Sequence, residues 1–148
     1  MAVNADLAGT VYPPTAPYLV GREDVRRFAA AVGCTDTRSL DPAAARAAGH
    51  ADVVAPPTFA VVVQERGLAQ LLADERAGID FTRVVHGEQR FRFSRPIVAG
   101  DELTAVLTVA SVKTLGGNAM VTADSDIRDV QGQHVLTATS TLVVRGDA

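Results

Sequence analysis

Few side chains in this sequence have the chemistry and the spacing of a catalytic or metal-binding group. The histidines are His50, His86 and His134, and none stands four residues from another, the spacing that places two ligands on one helix face. No cluster of cysteines or carboxylates accompanies them, so we predict no metal site. The single cysteine, Cys34, follows a predicted helix end and does not precede a helix start, where a thiolate is stabilised. We interpret it as a loop residue.

His86 has the most informative surroundings of the three, because it opens a predicted strand that will touch a buried helix. Two interpretations remain open: a neutral structural histidine bonded to the backbone, which the sequence favours, or a base that acts on a substrate. The nucleotide-binding motifs GxGxxG and GxxxxGK[ST] and the hydrolase motif GxSxG do not occur in the sequence. We therefore expect no cofactor.

Composition narrows the classes of function. The chain has 148 residues, of which 47% are hydrophobic and 21% charged, so we predict one globular domain over residues 1–148. A net charge of −3 and an aromatic content of 5% argue against a nucleic-acid partner. No apolar run approaches the roughly 20 residues of a membrane span, so no membrane partner is expected. The lone cysteine and a start without signal-peptide character predict a cytoplasmic protein.

Helices are predicted in the first half of the chain. Residues 10–18 contain three prolines and should be extended, whereas 23–33 carry apolar residues at helical spacing and end on a glycine. A short helix is predicted over 41–48, with Asp41 as its N-cap and proline at its first position. The third helix, 58–75, is apolar on every side in its first half, which is typical of a buried helix.

Four strands are predicted in the second half, over residues 84–95, 102–113, 119–129 and 134–145. In the first of them, alternation places Gln89, Phe91 and Phe93 on one face. Helices followed by an antiparallel meander indicate an α+β fold, in which a curved antiparallel sheet wraps a long buried helix.

Three segments, residues 31–49, 54–59 and 85–101, together resemble the MaoC-type dehydratases of the hot-dog fold. In particular they are similar to small actinobacterial subunits that pair with a catalytic partner as (3R)-hydroxyacyl-ACP dehydratases. The resemblance implies a central helix wrapped by the sheet and a double hot-dog dimer joined edge to edge. It also implies an acyl-CoA or acyl-ACP substrate, and either a homodimer or a heterodimer with a catalytic hot-dog subunit.

Dehydration of a 3-hydroxyacyl thioester needs a base for the α-proton, an acid for the hydroxyl, and donors at the thioester oxygen. The family's motif resembles G-D-x-N-P-x-H, and a glycine near the helix start supplies a donor. Aligned on Gly33 and Asp41, the motif places Cys34 at the acid position and Ser39 at the base position. Pro57 falls on the glycine position and has no N–H. The comparison implies a chain without its own acid and base.

Two relocated groups stay open as alternatives: Asp36 as a displaced acid and His86 as a substitute base. The competing interpretation of Asp36 or Asp41 is that each caps a short helix, which we favour. The resemblance also implies substrate contacts from Pro57, Thr58, Phe59, His86 and Gly87.

Three functions follow from these observations. The first is an accessory subunit that supplies half of a double hot-dog and part of an acyl tunnel, while a partner brings acid and base. The apolar helix start, with Phe91 and Phe93, would then line the tunnel or form core, and we favour core for most of it. The second is a homodimeric hydratase with relocated residues, and the third is a non-enzymatic protein that binds acyl thioesters or another small ligand.

Overall fold

The computed structural model describes residues 2–147 and divides them into helices followed by a sheet. Met1 and Ala148, the ends of the predicted domain, lie outside the described residues. The α-helices are α1 (Arg22–Ala31), α2 (Thr37–Leu40), α3 (Pro42–Ala47) and α4 (Ala60–Ala73). The strands are β1 (Tyr18–Leu19), β2 (Val84–Phe93), β3 (Glu102–Leu115), β4 (Asn118–Arg128) and β5 (His134–Val144).

Two short helices follow α1, and each begins with an aspartate cap. Asp41 accepts from the Ala43 N–H at 2.9 Å and Pro42 occupies the first helical position, as predicted for α3. The four-residue α2 was not predicted; Asp36 caps it by accepting from the Arg38 N–H at 3.0 Å. Both aspartates therefore cap helices, as the sequence favoured.

The central helix begins with a 3₁₀ turn, Pro57–Phe59, which continues directly into α4. Phe59 is only 1% exposed, and its ring lies 5.4 Å from that of Phe28 and 6.3 Å from that of Tyr18. No residue from Phe59 to Gln64 is exposed, so the predicted burial of the first half is confirmed. The second half presents the exposed Glu65 and Arg66 to solvent.

The sheet is antiparallel throughout, with strand order β1-β3-β4-β5-β2, and its concave face packs on α4. Gly67 lets the helix approach closely, because a Cβ there would stand 3.4 Å from Leu107 Cβ on β3. All four predicted strands are present and their limits agree within two residues. The predicted α+β architecture is confirmed.

The two edges of the sheet differ. Along β3, residues 9–20 cover the outer side: the Gly9, Tyr12 and Thr15 N–H groups donate to β3 carbonyls at 2.7, 2.8 and 3.0 Å. Along β2, no strand within residues 2–147 pairs with the outer side. An uncovered edge of ten residues is a ready template for a further strand.

Candidate functional site

A cleft of about 440 Å³ lies where the start of the central helix meets the end of β2. It collects three of the positions that the family motif selects: Cys34, Ser39 and Pro57. Its remaining lining comes from α2 and its cap, from the loop after α3, from the approach to the central helix, and from the end of β2 with the residues that follow it: Asp36, Arg38, His50, Val54, Ala55, Pro56, Phe93, Ser94, Arg95 and Pro96. Positions far apart in sequence therefore share one concave surface.

Ser39, at the position of the motif base, is held inside the protein. Its side chain is 4% exposed, and its hydroxyl donates to the Val54 carbonyl at 2.5 Å. This bond ties α2 to the segment that leads into the central helix. Two reasons prevent this hydroxyl from taking a proton from a substrate near neutral pH. It is already hydrogen-bonded to Val54, and a hydroxyl is far too weak a base.

Asp36 is bound on both of its oxygens by Arg38. The guanidinium donates to the carboxylate at 3.0, 3.1 and 2.5 Å, in addition to the backbone bond of the cap. These bonds lower the pKa of Asp36 to about 2. An acid that is ionised at neutral pH has no proton to donate, so this geometry gives the displaced-acid interpretation no support.

His50 lines the same cleft, although the sequence analysis assigned it no role. It follows Gly49, whose φ of +93° reverses the chain after α3 and returns it towards α2. A charge on His50 acts on Asp36, where it adds the weakest contribution to the lowered carboxyl pKa. The only sequence signal for this proximity is the Gly-His pair after a short helix.

At the helix start, Pro57 is exposed and, like any proline, donates no N–H. Thr58 is exposed beside it, whereas Phe59 turns into the core. Of the five expected substrate contacts, only Pro57 lines the cleft.

His86 and Gly87 lie at the opposite end of β2 from the cleft. His86 faces Leu142 across the ladder, a residue 5% exposed in the core, so the histidine is on the concave face, yet it is itself exposed. Its imidazole makes no hydrogen bond to any other residue in the range 2–147, so the favoured interpretation, a histidine whose ring is bonded to the backbone, is wrong. His86 is exposed because β2 is an edge strand that the central helix does not cover at this end.

Close packing against β5 favours glycine at position 87. It sits in a β-bulge between His86 and Glu88, and a Cβ there would stand 3.0 Å from Val143 Cγ2 and 3.3 Å from the Thr141 carbonyl oxygen. The bulge bends β2 over β5.

Arg95 stabilises the wall of the cleft that follows β2. It was predicted as the last residue of the strand 84–95, but β2 ends at Phe93. Its guanidinium bonds Asp101 at 2.8 and 3.1 Å and Asp129 at 3.3 Å. The two carboxylate side chains are 13% and 9% exposed. Nearby, Ser94 Oγ lies 2.6 Å from Nδ1 of His134.

A larger recess, about 770 Å³, lies at the other end of α4 and contains none of the motif positions. Arg83, one of the two arginines in its lining, is paired with Asp147 at 2.6 Å. Throughout the described residues, no three His, Cys, Asp or Glu side chains are grouped as a metal site would require. Between residues 2 and 147, no helix is long and apolar enough to cross a bilayer.

Residues 6–138 match a protein family described as FAS1-like, dehydratase domain region. The chain belongs to this family. A UPF0336 protein from Clavibacter michiganensis subsp. michiganensis is 67% identical over 147 residues, covering 99% of each chain. Another, from Leifsonia xyli subsp. xyli, is 65% identical over 145 residues, which are 98% of this chain and 97% of that one.

Two solved structures place this FAS1-like dehydratase region among the MaoC-like hot-dog proteins. A MaoC-like dehydratase superposes with a TM-score of 0.87 at 34% identity, over 94% of this chain; the chain spans 42% of that protein's length. C-terminally truncated HadBC, a 3R-hydroxyacyl-ACP dehydratase complex from Mycobacterium tuberculosis, has a TM-score of 0.81 at 32% identity, covering 93% and 97%. The hot-dog fold expected from the resemblance is confirmed.

Proposed function

We propose that this chain is an acyl-thioester-binding hot-dog subunit of a (3R)-3-hydroxyacyl-thioester dehydratase or enoyl hydratase. It serves fatty-acid or polyketide-type metabolism in the cytoplasm as one domain, residues 1–148, and lacks its own catalytic acid and base. The substrate is an acyl-CoA or acyl-ACP, and a second hot-dog subunit supplies the proton chemistry.

The observation that carries the proposal is a dehydratase-type cleft whose motif positions hold the wrong groups. Ser39 Oγ is bonded to the Val54 carbonyl, and Cys34 and Pro57 supply neither a carboxylate nor a backbone donor. Loss of a general base and loss of an oxyanion donor each forfeit about a hundredfold in rate. The chain therefore depends on another subunit for turnover.

The free edge of β2 supports a second subunit. Phe93 is 36% exposed and Phe91 is half-buried on the concave face, although their ladder partners Leu136 and Ala138 are fully buried. The two rings lie 6.2 Å apart and form a small apolar patch near the end of β2, with Phe91 packed against the core. HadBC is a complex of two subunits, and its similarity favours a heterodimer here. Phe91 therefore agrees with the favoured core interpretation, whereas the exposed Phe93 is suited to line the tunnel of an acyl chain.

A homodimeric hydratase is the second candidate, and one observation favours it. His50 places an imidazole in the cleft, where the motif histidine is absent, and Asp36 lies within its electrostatic reach. In that case His50 would be the base.

The test compares the chain alone with a complex captured from its native host through an affinity tag on the chain. Hydration of crotonyl-CoA is followed for both. We expect the complex to be at least about a hundredfold faster than the chain alone. Equal activity that is lost in His50→Ala would show instead that the chain is a hydratase in its own right, as the second candidate requires. Retention of an acyl ligand with no activity in either sample would establish a binding protein.

A further inference from the structure

We propose that His86 of this chain completes the active site of the subunit paired with it. This inference rests on the proposed dehydratase pairing. It assigns a role to an exposed imidazole that is far from the chain's own cleft.

The first step is the distance within one chain. His86 and Phe93, which lines the cleft, are seven residues apart on one strand with a single bulge between them. At about 3.3 Å per residue they are separated by roughly 20 Å. An imidazole cannot reach across that distance, so His86 does not serve the cleft of its own chain.

The second step is the geometry of edge pairing. A strand that joins the free edge of β2 antiparallel around its midpoint, between Glu88 and Gln89, places the beginning of β2 beside the end of the paired strand. His86 then lies about 7 Å along, and about 5 Å across, from the position of the paired strand equivalent to Phe93. In this chain the end of β2 adjoins the cleft, and we infer the same arrangement in a paired subunit of the same fold.

The third step is the state of the side chain. His86 faces the concave side, as its ladder partner Leu142 shows, and remains exposed and without a hydrogen bond among the described residues. Gln89, three residues further along β2, is by contrast fixed by hydrogen bonds. Its Oε1 accepts from Ser140 Oγ at 2.6 Å, and Ser140 Oγ in turn accepts from the buried Gln64 side chain at 2.6 Å. Gln89, near the midpoint of the edge, is fixed and is suited to set the register of strand pairing. The imidazole of His86, nearer the end, is free and is suited to contact a substrate.

The imidazole has two nitrogens that can donate and accept, which suits the amides of a pantetheine arm carrying the acyl group. The acid and base remain in the paired subunit. His86 therefore acts in binding the thioester substrate, not in transferring the proton.

The experiment uses the tagged complex assembled with His86→Ala, with His86→Gln, or with Val85→Ala as the matched control. Val85 is the neighbouring residue, 48% exposed on the opposite face. For His86→Ala with crotonyl-CoA we expect KM to rise about tenfold, as for one lost hydrogen bond, with kcat changed less than about threefold. His86→Gln should recover part of the loss, Val85→Ala should match wild type, and all complexes should have the same mass.

Two results would overturn the inference while leaving the proposed function standing. One is an active complex in which His86→Ala has wild-type KM. The other is a fall in kcat accompanied by a shift in the pH profile, which would make His86 a proton-transfer group. A captured complex with no hydratase activity in wild type would instead reject the proposed function itself.

Discussion

Replacing Ser39 with alanine tests whether the hydroxyl of this residue has a structural or a catalytic role. The substitution removes the 2.5 Å hydrogen bond to the Val54 carbonyl and leaves that oxygen without a donor among the described residues. The side chain is 4% exposed, so water replaces the bond only in part. One buried hydrogen bond of this kind contributes about 1–2 kcal/mol to the free energy of unfolding, which lowers Tm by about 3–6 °C in a domain of this size.

The assay pairs thermal and urea unfolding of the isolated chain with crotonyl-CoA hydration by the captured complex. We expect the stability of Ser39→Ala to fall as stated and kcat to change less than about threefold. Cys34→Ser is the control: Cys34 is half-buried and the change keeps the side-chain size, so the free energy of unfolding should stay within about 0.5 kcal/mol. Unchanged stability together with a hundredfold loss of kcat would refute the structural assignment of Ser39.

Three further outcomes follow from the geometry. Arg95→Met should lower the free energy of unfolding by about 1–2 kcal/mol. This is the low end for hydrogen bonds between charged groups, because the Arg95 side chain is 34% exposed. An unchanged midpoint in urea unfolding would contradict this. Burial and the Asp74 carboxylate raise the pKa of Tyr12 to about 12, so the stability it contributes is present below pH 10 and is lost as pH rises towards 12. Phenolate absorbance in a variant whose other tyrosine is phenylalanine should show that late titration. Gly87→Ala should destabilise the chain by about 1–2 kcal/mol in thermal unfolding, and Val143→Ala should restore part of the loss, because the added Cβ meets Val143 Cγ2 at 3.0 Å.

Elements were predictable where a local pattern determines them. Alternation identified β2 through β5, and the Asp41-Pro42 pair identified α3, since a cap and a first-turn proline act within a few residues. The four-residue α2 was missed because it is too short to show a helical period. The covering of β3 by residues 9–20 was missed for a different reason: a strand of two residues with isolated bridges leaves no alternation to detect.

The motif register selected Cys34, Ser39 and Pro57 from separate parts of the sequence, and the structure brings these three residues to one cleft. That this cleft binds substrate stays a prediction. His50 was missed, since its approach depends on a turn at a single glycine. The interpretation of His86 was wrong because the strand sequence does not say which strand will form the edge, and only an edge leaves a concave-face histidine open to solvent.

The distribution of free hydrogen-bonding groups supports the proposal that this chain pairs with a second subunit. An acid or base must keep a proton or lone pair available to the substrate, yet Ser39 and Asp36 in the cleft are bonded to Val54 and Arg38 of the same chain. At β2 the situation is reversed: the outer backbone groups have no strand partner within residues 2–147, and His86 is unbonded there. A polar group that is left free on a folded protein is available to a ligand or to another chain. The edge of β2 therefore offers backbone donors and acceptors to a further strand, as the proposed second subunit requires.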